Sequence, residues 1–386
     1  AAARALPSEG GTVSISPGVY RETVVLDTSA TLVAPSGGVV IGDLTTGIAT
    51  TSSFQLLTWN THLFGDTLLA PTWKDAERAE QIGDYLARHF SELDLVSLCE
   101  VWDEDFFVGD WSGAIQPRSG YSNWMMYTEI QTGTVPCISS VPIIGGVFDE
   151  AAGIVSLPRF IHSGLALLAK HPLDDQHRVH YEACEGKCPG KSESPDCLAS
   201  KGFMAATVVK DGFRIRIYDT HTQAGYASDY IEARQKQVAQ LAGDIAAFRS
   251  GHPDHVILVM GDMNVIGEDP AGHNTSDYNF LRDQFGALGG RDAARHAANV
   301  SIYNDFSLGH TLTSANALAL HFDPPHDERL DYIWYFASLD GKSTLYPLHV
   351  ERLMPRGRSL EGDNLRTEEL SDHYPITANF RLIKLP

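Results

Sequence analysis

The sequence predicts an α/β (α+β) chain with a small β-rich appendage at its start, and three observations lead there. Short apolar runs such as Phe54-Gln-Leu-Leu-Thr-Trp59, Leu93-Asp-Leu-Val-Ser-Leu98 and Val256-Ile-Leu-Val-Met260 have the length and composition of buried strands. Between them lie longer stretches whose apolar residues recur at helical spacing, as in a helix laid against a sheet. The opening residues alternate apolar and polar over only a few positions between turns, a strand pattern too short to close a core.

In chain order, Val13 and Ile15, Val24 and Leu26, Leu32, and Val39 and Ile41 mark short strands separated by Pro17-Gly18 and Pro35-Ser-Gly-Gly38. They look like a coil or two of a β-solenoid, which cannot bury its own faces. Residues 1–53 are therefore expected to be an appendage leaning on a main domain at 54–386, with Thr45 to Ser53 as linker. Phe54 to Asn60 is the first strand of that domain. Asp75 to His89 spaces Ala76, Ala79, Ile82 and Leu86 helically, and Leu93 to Cys99 is a strand that delivers Glu100.

Asp103 to Ser163 is long and irregular, and its apolar tract Val141 to Val147 is read as packed loop rather than lipid-facing surface. Gly164 to Ala169 is a strand. Gly202 to Val209 and Phe213 to Thr220 form a hairpin across Lys210-Asp-Gly212 that ends at His221. Ser228 to Arg249 is a helix with Ser228 or Asp229 as N-cap, feeding the strand at Val256. Asn274 to Ala298 is mostly helical, and Leu330 to Phe336, Thr344 to Leu353 and Thr377 to Leu382 complete the strands.

The run Val256 to Val265 is the centre of this plan. Its five apolar residues stop at Gly261 and present Asp262 and Asn264 two positions apart, so that strand alternation would point both side chains the same way. A carboxylate beside a carboxamide suits a hard cation, although Gly-Asp-x-Asn is equally ordinary turn chemistry.

Composition narrows the function. With 29 Lys and Arg against 49 Asp and Glu, the net charge of -20 opposes an electrostatic grip on nucleic acid or anionic lipid, so no stable nucleic-acid partner is expected. A zwitterionic or cationic substrate remains compatible. No run approaches the ~20 apolar residues that span a bilayer, and the chain begins at Ala1, which reads as a processed, secreted protein, expected to be a monomer. Cys184, Cys188 and Cys197 crowd one polar segment, where at least one disulfide is expected. A zinc reading is weaker, since Cys-x3-Cys-x8-Cys has no fourth ligand at the usual spacing. Cys99 is expected to be a buried free thiol, and the partner of Cys137 is open.

Singly, the strand-end residues have plain explanations as caps, surface charge or satisfied hydrogen-bonders. Jointly, Trp59-Asn60, Cys99-Glu-Val101, Asp219-Thr-His221, Gly261-Asp-Met-Asn264, Leu330-Asp-Tyr332 and Ser371-Asp-His-Tyr-Pro-Ile376 resemble the endonuclease/exonuclease/phosphatase superfamily. Within it, Glu77-Arg-Ala-Glu-Gln-Ile-Gly83, Cys99-Glu-Val-Trp-Asp103, Ser200-Lys-Gly-Phe203, Thr220-His-Thr-Gln-Ala224 and Ser371-Asp-His-Tyr-Pro375 are similar to secreted bacterial neutral sphingomyelinases of the phospholipase C type. The resemblance covers Phe54 to about Leu382. It implies a DNase-like four-layer α/β/β/α sandwich.

It also implies a metal-dependent phosphodiesterase that hydrolyses sphingomyelin to ceramide and phosphocholine at a membrane or micelle surface. Asn60, Glu100, Asp262, Asn264 and His373 would surround one or two divalent cations, Mg2+ by the resemblance, with Mn2+ or Co2+ able to substitute. His373 would be general base with Asp372 holding or polarising its ring. His221 would hydrogen-bond the phosphate or protonate the leaving alkoxide, and Asp331 would orient a neighbouring histidine. Asp262 and Asn264 count among the catalytic residues, and Trp102 and Tyr226 are the candidate substrate-binding residues.

Three departures bear on substrate. Gly225 and Tyr226 stand where relatives carry acids facing a choline head, and Tyr226 would stack on a quaternary ammonium instead. Glu351 to Leu370 has no Trp or Phe where relatives present an aromatic hairpin to the membrane. The acidic pair of a second, peripheral metal falls near Ile161 and His162, so that site is not assigned. The alternatives are a phospholipase C acting on another head group, a secreted nuclease, and a non-catalytic binding protein.

Overall fold

A computed structural model of the chain describes residues 50–64, 74–103, 107, 115–132, 161–186, 196–297, 309–321, 327–362 and 365–385, together with short strands within 12–45, 134–138 and 154–158. In chain order its main elements are β1 (Thr50–Leu63), α1 (Asp75–His89), β2 (Leu95–Val101), β3 (Asn123–Met126), β4 (Ala166–Ala169), β5 (Asp174–His180), β6 (Gly202–Lys210), β7 (Phe213–His221), α2 (Ser228–Gly251), β8 (Val256–Asp262), α3 (Ser276–Ala287), β9 (Arg291–Asp292), β10 (Asp331–Phe336), β11 (Ser343–Arg352), β12 (Arg356–Gly362), β13 (Leu365–Glu369) and β14 (Ile376–Lys384).

Strand alternation decides the layers. Phe54 and Leu56 of β1, Leu95 and Cys99 of β2, Val256, Leu258 and Met260 of β8, and Ile333 and Tyr335 of β10 share one core between two six-stranded sheets. The intervening residues face outward. Leu57, Trp59, Val96 and Leu98 pack on Ala79, Ile82 and Leu86 of α1. On the other side Ile257, Val259 and Trp334 pack on Val238, Leu241 and Ile245 of α2 and on Tyr278, Leu281 and Phe285 of α3. The result is the four-layer α/β/β/α sandwich the sequence implies. Strands buried on both faces read as continuous apolar runs, which is why β2 and β8 are recognisable.

The sheets run β11-β14-β1-β2-β4-β3 and β5-β6-β7-β8-β10-β9. Each holds one parallel pair at its heart, β1 with β2 and β7 with β8, and the other pairings are antiparallel. A parallel pair needs a crossover, supplied here by α1 and α2. The crossover brings the carboxyl ends of both strands to the same edge. Asn60 lies beside Cys99, next to Glu100, and His221 lies beside Asp262.

Several expectations need adjustment. β1 starts at Thr50, inside the expected linker, because Thr50 to Ser53 pair with β14. The N-cap of α2 is Ala227, in extended conformation without a side-chain cap bond, not Ser228 or Asp229. Asn274 to Ala298 divides into α3, capped by Thr275 accepting from Tyr278 N, the two-residue β9 and a short helix at Ala293–His296. β3, β5 and the hairpin β12–β13 were not anticipated. In the opening segment Thr12–Ser14 pairs parallel with Thr31–Val33, and Gly18–Val25 with Val39–Thr45, as successive solenoid coils would.

Cys184 and Cys197 form a disulfide with Cα atoms 5.3 Å apart, and Cys99 is a buried free thiol. Cys137 and Cys188 lie outside the residues whose side chains are described, as does the tract Val141 to Val147. Among the described residues, no helix is long and apolar enough to cross a membrane.

Candidate active site

Glycine is required where β8 ends. Gly261 has φ of 132°, and a Cβ there would stand 1.9 Å from the Thr220 carbonyl oxygen of β7. Its absence lets the two strands stay paired up to Asp262. Asn264 arrives by a different route from the one expected. It lies past the strand in left-handed conformation (φ 48°), its N–H donating to Asp262 Oδ1 at 2.8 Å and its amide to the Thr222 carbonyl at 3.1 Å. A turn closed on the Asp262 carboxylate, rather than strand alternation, brings the two together. Glu100 (φ 57°) and His62 (φ 50°) are also left-handed, at the point where the β1–β2 register shifts between Asn60 and Leu63. Such conformations cost about 1–3 kcal/mol each and persist where surrounding structure enforces them, typically at functional sites.

Asp262 is the hub. Its Oδ2 accepts from Asn60 Nδ2 at 2.9 Å and lies 3.8 Å from His221 Nε2 and 3.9 Å from His373 Nε2. His221 Nε2 is 3.7 Å from Glu100 Oε1, and His373 Nδ1 is 2.8 Å from Asp331 Oδ2. Seven expected residues, Asn60, Glu100, His221, Asp262, Asn264, Asp331 and His373, thus meet at one edge, drawn from both sheets and from the segments after β8 and before β14.

The electrostatics follow from burying this much charge. Burial and the neighbouring Asp331 push Asp262 up to about 7 against the pull of His373. Burial opposes a charge on His373, yet the Asp331 carboxylate and its hydrogen bond hold that imidazole well above its ordinary value. His221 is driven well below, first by burial and then by the Lys201 ammonium, whose Nζ donates toward its Nε2 at 3.1 Å. Lys201 is itself buried, bonded to Asp196 Oδ2 at 2.7 Å and to the Thr222 carbonyl at 2.9 Å.

The donor set fits a hard divalent cation. Glu100, His221 and Asp262 form one group and Asp262, Asp331 and His373 another, each offering ligand atoms within 4.8 Å of one another. Among the described residues Asp331 Oδ1 is buried without a hydrogen-bond partner, and Glu100 Oε2 has only the long 3.4 Å contact with His62 Nδ1, capacity that a cation would use. Oxygens dominate and no thiolate takes part.

Residues 57–373 match the endonuclease/exonuclease/phosphatase family. The chain belongs to that family. It is 25% identical over 348 residues to a sphingomyelinase C of Bacillus cereus, covering 86% of this chain and 89% of that protein. Among solved structures, sphingomyelinase C from Streptomyces griseocarneus gives a TM-score of 0.58 at 20% identity, over 85% of this chain and 99% of that one. A beta toxin of Staphylococcus aureus with bound magnesium ions gives 0.59 at 18% identity, over 85% and 99%. At these identities the solved structures establish the fold. Family membership and the Bacillus relative make the chain a hydrolytic phosphodiesterase.

Within this family site, one assignment is corrected. Asp372 does not hold the His373 ring by hydrogen bond, although its charge helps to raise that imidazole; its Oδ2 lies 3.1 Å from His62 Nδ1, and the carboxylate bonded to His373 is that of Asp331. Asp372 sits at the bend before His373, and its carboxylate turns to His62 and away from the next ring. His62 and Lys201 were missed as site residues. His62 Nδ1 bridges Asp372 and, at 3.4 Å, Glu100 Oε2. Its only signal was its position two residues after Asn60.

Trp102 is 9% exposed, its ring centroid 5.8 Å from that of His221 and 4.5 Å from that of Phe64. Gly164 makes room for it, since a Cβ there would meet Trp102 Nε1 at 2.7 Å. Tyr226 is exposed at the surface, its hydroxyl donating to Glu328 Oε2 at 3.0 Å.

Proposed function

We propose that this enzyme is a Mg2+-dependent sphingomyelin phosphodiesterase, releasing phosphocholine and leaving ceramide. The observation that carries the reading is that two clusters, Glu100 with His221 and Asp331 with His373, share Asp262 beside the buried, unpartnered Asp331 Oδ1. The Bacillus relative, 89% of which aligns with this chain, adds the substrate class.

Asn60, Glu100, Asp262 and Asn264 would hold the cation, with His221, Asp331 and His373 at the same cluster. When bound, a divalent cation neutralises non-bridging phosphate oxygens, makes water a better nucleophile and lowers the pKa of a histidine facing it. Asp331 fixes the proton of His373 on Nδ1, which leaves Nε2 as the atom that accepts the proton of the attacking water. His221, held neutral beside Lys201, suits hydrogen bonding to phosphate better than proton donation. Asp372 acts at one remove, through His62 on Glu100. Trp102 and Tyr226 would line the substrate path.

Secretion is supported by the Cys184–Cys197 disulfide. The hairpin β12–β13 exposes Arg356, Arg358, Ser359 and Glu361, which favours adsorption to a lipid or micelle surface over insertion. We take the monomer as the working unit.

Phosphocholine release from sphingomyelin in mixed micelles tests the proposal. Release is expected with Mg2+, lost with a chelator and restored by Mg2+, Mn2+ or Co2+. His373→Ala should lower kcat by about 10²–10⁴-fold. Metal-dependent plasmid nicking without phosphocholine release would replace the sphingomyelin phosphodiesterase with a nuclease, and an undiminished His373→Ala enzyme would remove the proposed base.

A further inference from the structure

Arg78, at the end of the first turn of α1, is 0% exposed, and it takes no part in the reaction described above. Its guanidinium gathers backbone carbonyls. Nη1 donates to the Thr61 carbonyl at 3.0 Å and to the Leu370 carbonyl at 2.9 Å, while Nη2 donates to the His62 carbonyl and, at 2.6 Å, to Asp75 Oδ1. Asp75 is also buried, and its other oxygen accepts from the Phe64 N–H at 3.1 Å. Two segments of the site thus meet on one side chain: the end of β1, which carries Asn60 and His62, and the stretch from Leu370 that carries Asp372 and His373. Further bonds stitch the same seam. Ser371 Oγ donates to the Asn60 carbonyl at 2.7 Å, Trp59 Nε1 to the His373 carbonyl at 3.0 Å and Thr61 Oγ1 to the Cys99 carbonyl at 2.9 Å.

Resting on the Mg2+-dependent reading and deepening it, we propose that Arg78 and Asp75 are positioning residues that set the affinity of the site for its divalent cation. A cation is held only as tightly as its ligands are fixed before it arrives, and the groups behind those ligands govern that fixing. Glu100 is backed by His62 Nδ1, 3.4 Å from its Oε2, and His62 faces it from a left-handed backbone, φ 50°. Such a conformation is unfavourable for a residue with a Cβ and has to be enforced from outside. The Arg78 fork enforces it. The Thr61 and His62 carbonyls belong to the two peptide planes that flank the His62 Cα, and fixing both planes fixes both of its dihedrals. The third carbonyl, that of Leu370, keeps Asp372 within 3.1 Å of the same imidazole nitrogen. Serving three carbonyls and a carboxylate from two terminal nitrogens needs a planar group with N–H bonds in set directions, which a lysine ammonium does not provide.

The test is cation binding without turnover. Mn2+ is titrated into chelator-stripped full-length protein and followed by the electron paramagnetic resonance signal of the free ion. The wild type is expected to bind Mn2+ and to release it to excess Mg2+. Arg78→Lys, which keeps the charge and loses the fork, should raise the Kd about 10–100-fold, and Asp75→Asn should raise it by a smaller factor. Arg216→Lys is the control. Arg216 is 2% exposed, but its Nη1 bonds Asp175 and Thr207 on β5 and β6, so its loss should leave the Kd within about twofold of wild type. Circular dichroism checks folding, and Asp75→Asn carries the test should Arg78→Lys not fold. A Kd within about twofold of wild type in the folded Arg78 and Asp75 variants overturns the clamp and leaves the metal reading standing. Equal weakening in Arg216→Lys overturns it as well, because general loosening would then suffice. A wild type that binds no Mn2+ overturns the metal reading and the clamp together.

Discussion

His62 illustrates what a single side chain contributes beside a charged centre. Burial works against its charge, but the charge and hydrogen bond of Asp372, followed by those of Glu100, push its pKa from 6.5 up to about 9. A histidine raised on folding stabilises the folded state fully below its unfolded value and gives that stability up as pH climbs through the folded one. Metal-free protein should therefore lose stability between pH 6.5 and about 9 through this group. His62→Gln should be less stable at pH 6 and show a flatter profile. Urea titrations across that range check it, and parallel wild-type and variant profiles would refute it. His62 is hidden in the sequence because the apolar run stops at Asn60, whereas β1 continues to Leu63 with a shifted register that carries His62 into the site. Asp331 shows the opposite case. It was legible as a partner for some histidine, but that histidine stands 42 positions away.

At the scale of elements, the parallel pairs with their crossover helices were the readable part. Runs that are apolar on both faces, and α1 with its spaced Ala79, Ile82 and Leu86, declare themselves. β5, an edge strand of sequence Asp-Asp-Gln-His-Arg-Val-His, does not, because its place comes from pairing with β6 and not from its own pattern. β12 and β13 are polar for the same reason. The close of β8 is the element most sensitive to change. Gly261→Ala would drive a methyl group into the Thr220 carbonyl and impose φ 132° on an L-residue. It should cost roughly 2–4 kcal/mol or more in stability and displace Asp262, with activity falling further than stability alone explains. Denaturant midpoints and phosphocholine release measured together check this. An active, stable variant would mean that β7 and β8 can separate at little cost.

For the molecule as a whole, the number of layers was legible only through the family resemblance, since no local pattern says which two sheets stack. What local pattern supplied was the list of strand ends, and stacking the sheets brings those ends together. Two buried leucines separate the roles of the layers. Leu258 lies between the sheets and Leu241 between the outer face and α2, both essentially inaccessible to solvent. Leu→Ala at either should cost about 2–5 kcal/mol. Leu258→Ala is expected to lose at least tenfold more kcat/KM than Leu241→Ala, because misplacing reacting groups by even 1 Å can cost about 10²-fold. Equal losses would contradict this. Asn60 and Glu100 stand on one sheet, His221 and Asp262 on the other. Catalysis thus behaves like the jaws of a calliper whose two arms are the sheets: turnover registers a slip in the spacer between them well before the melting curve does.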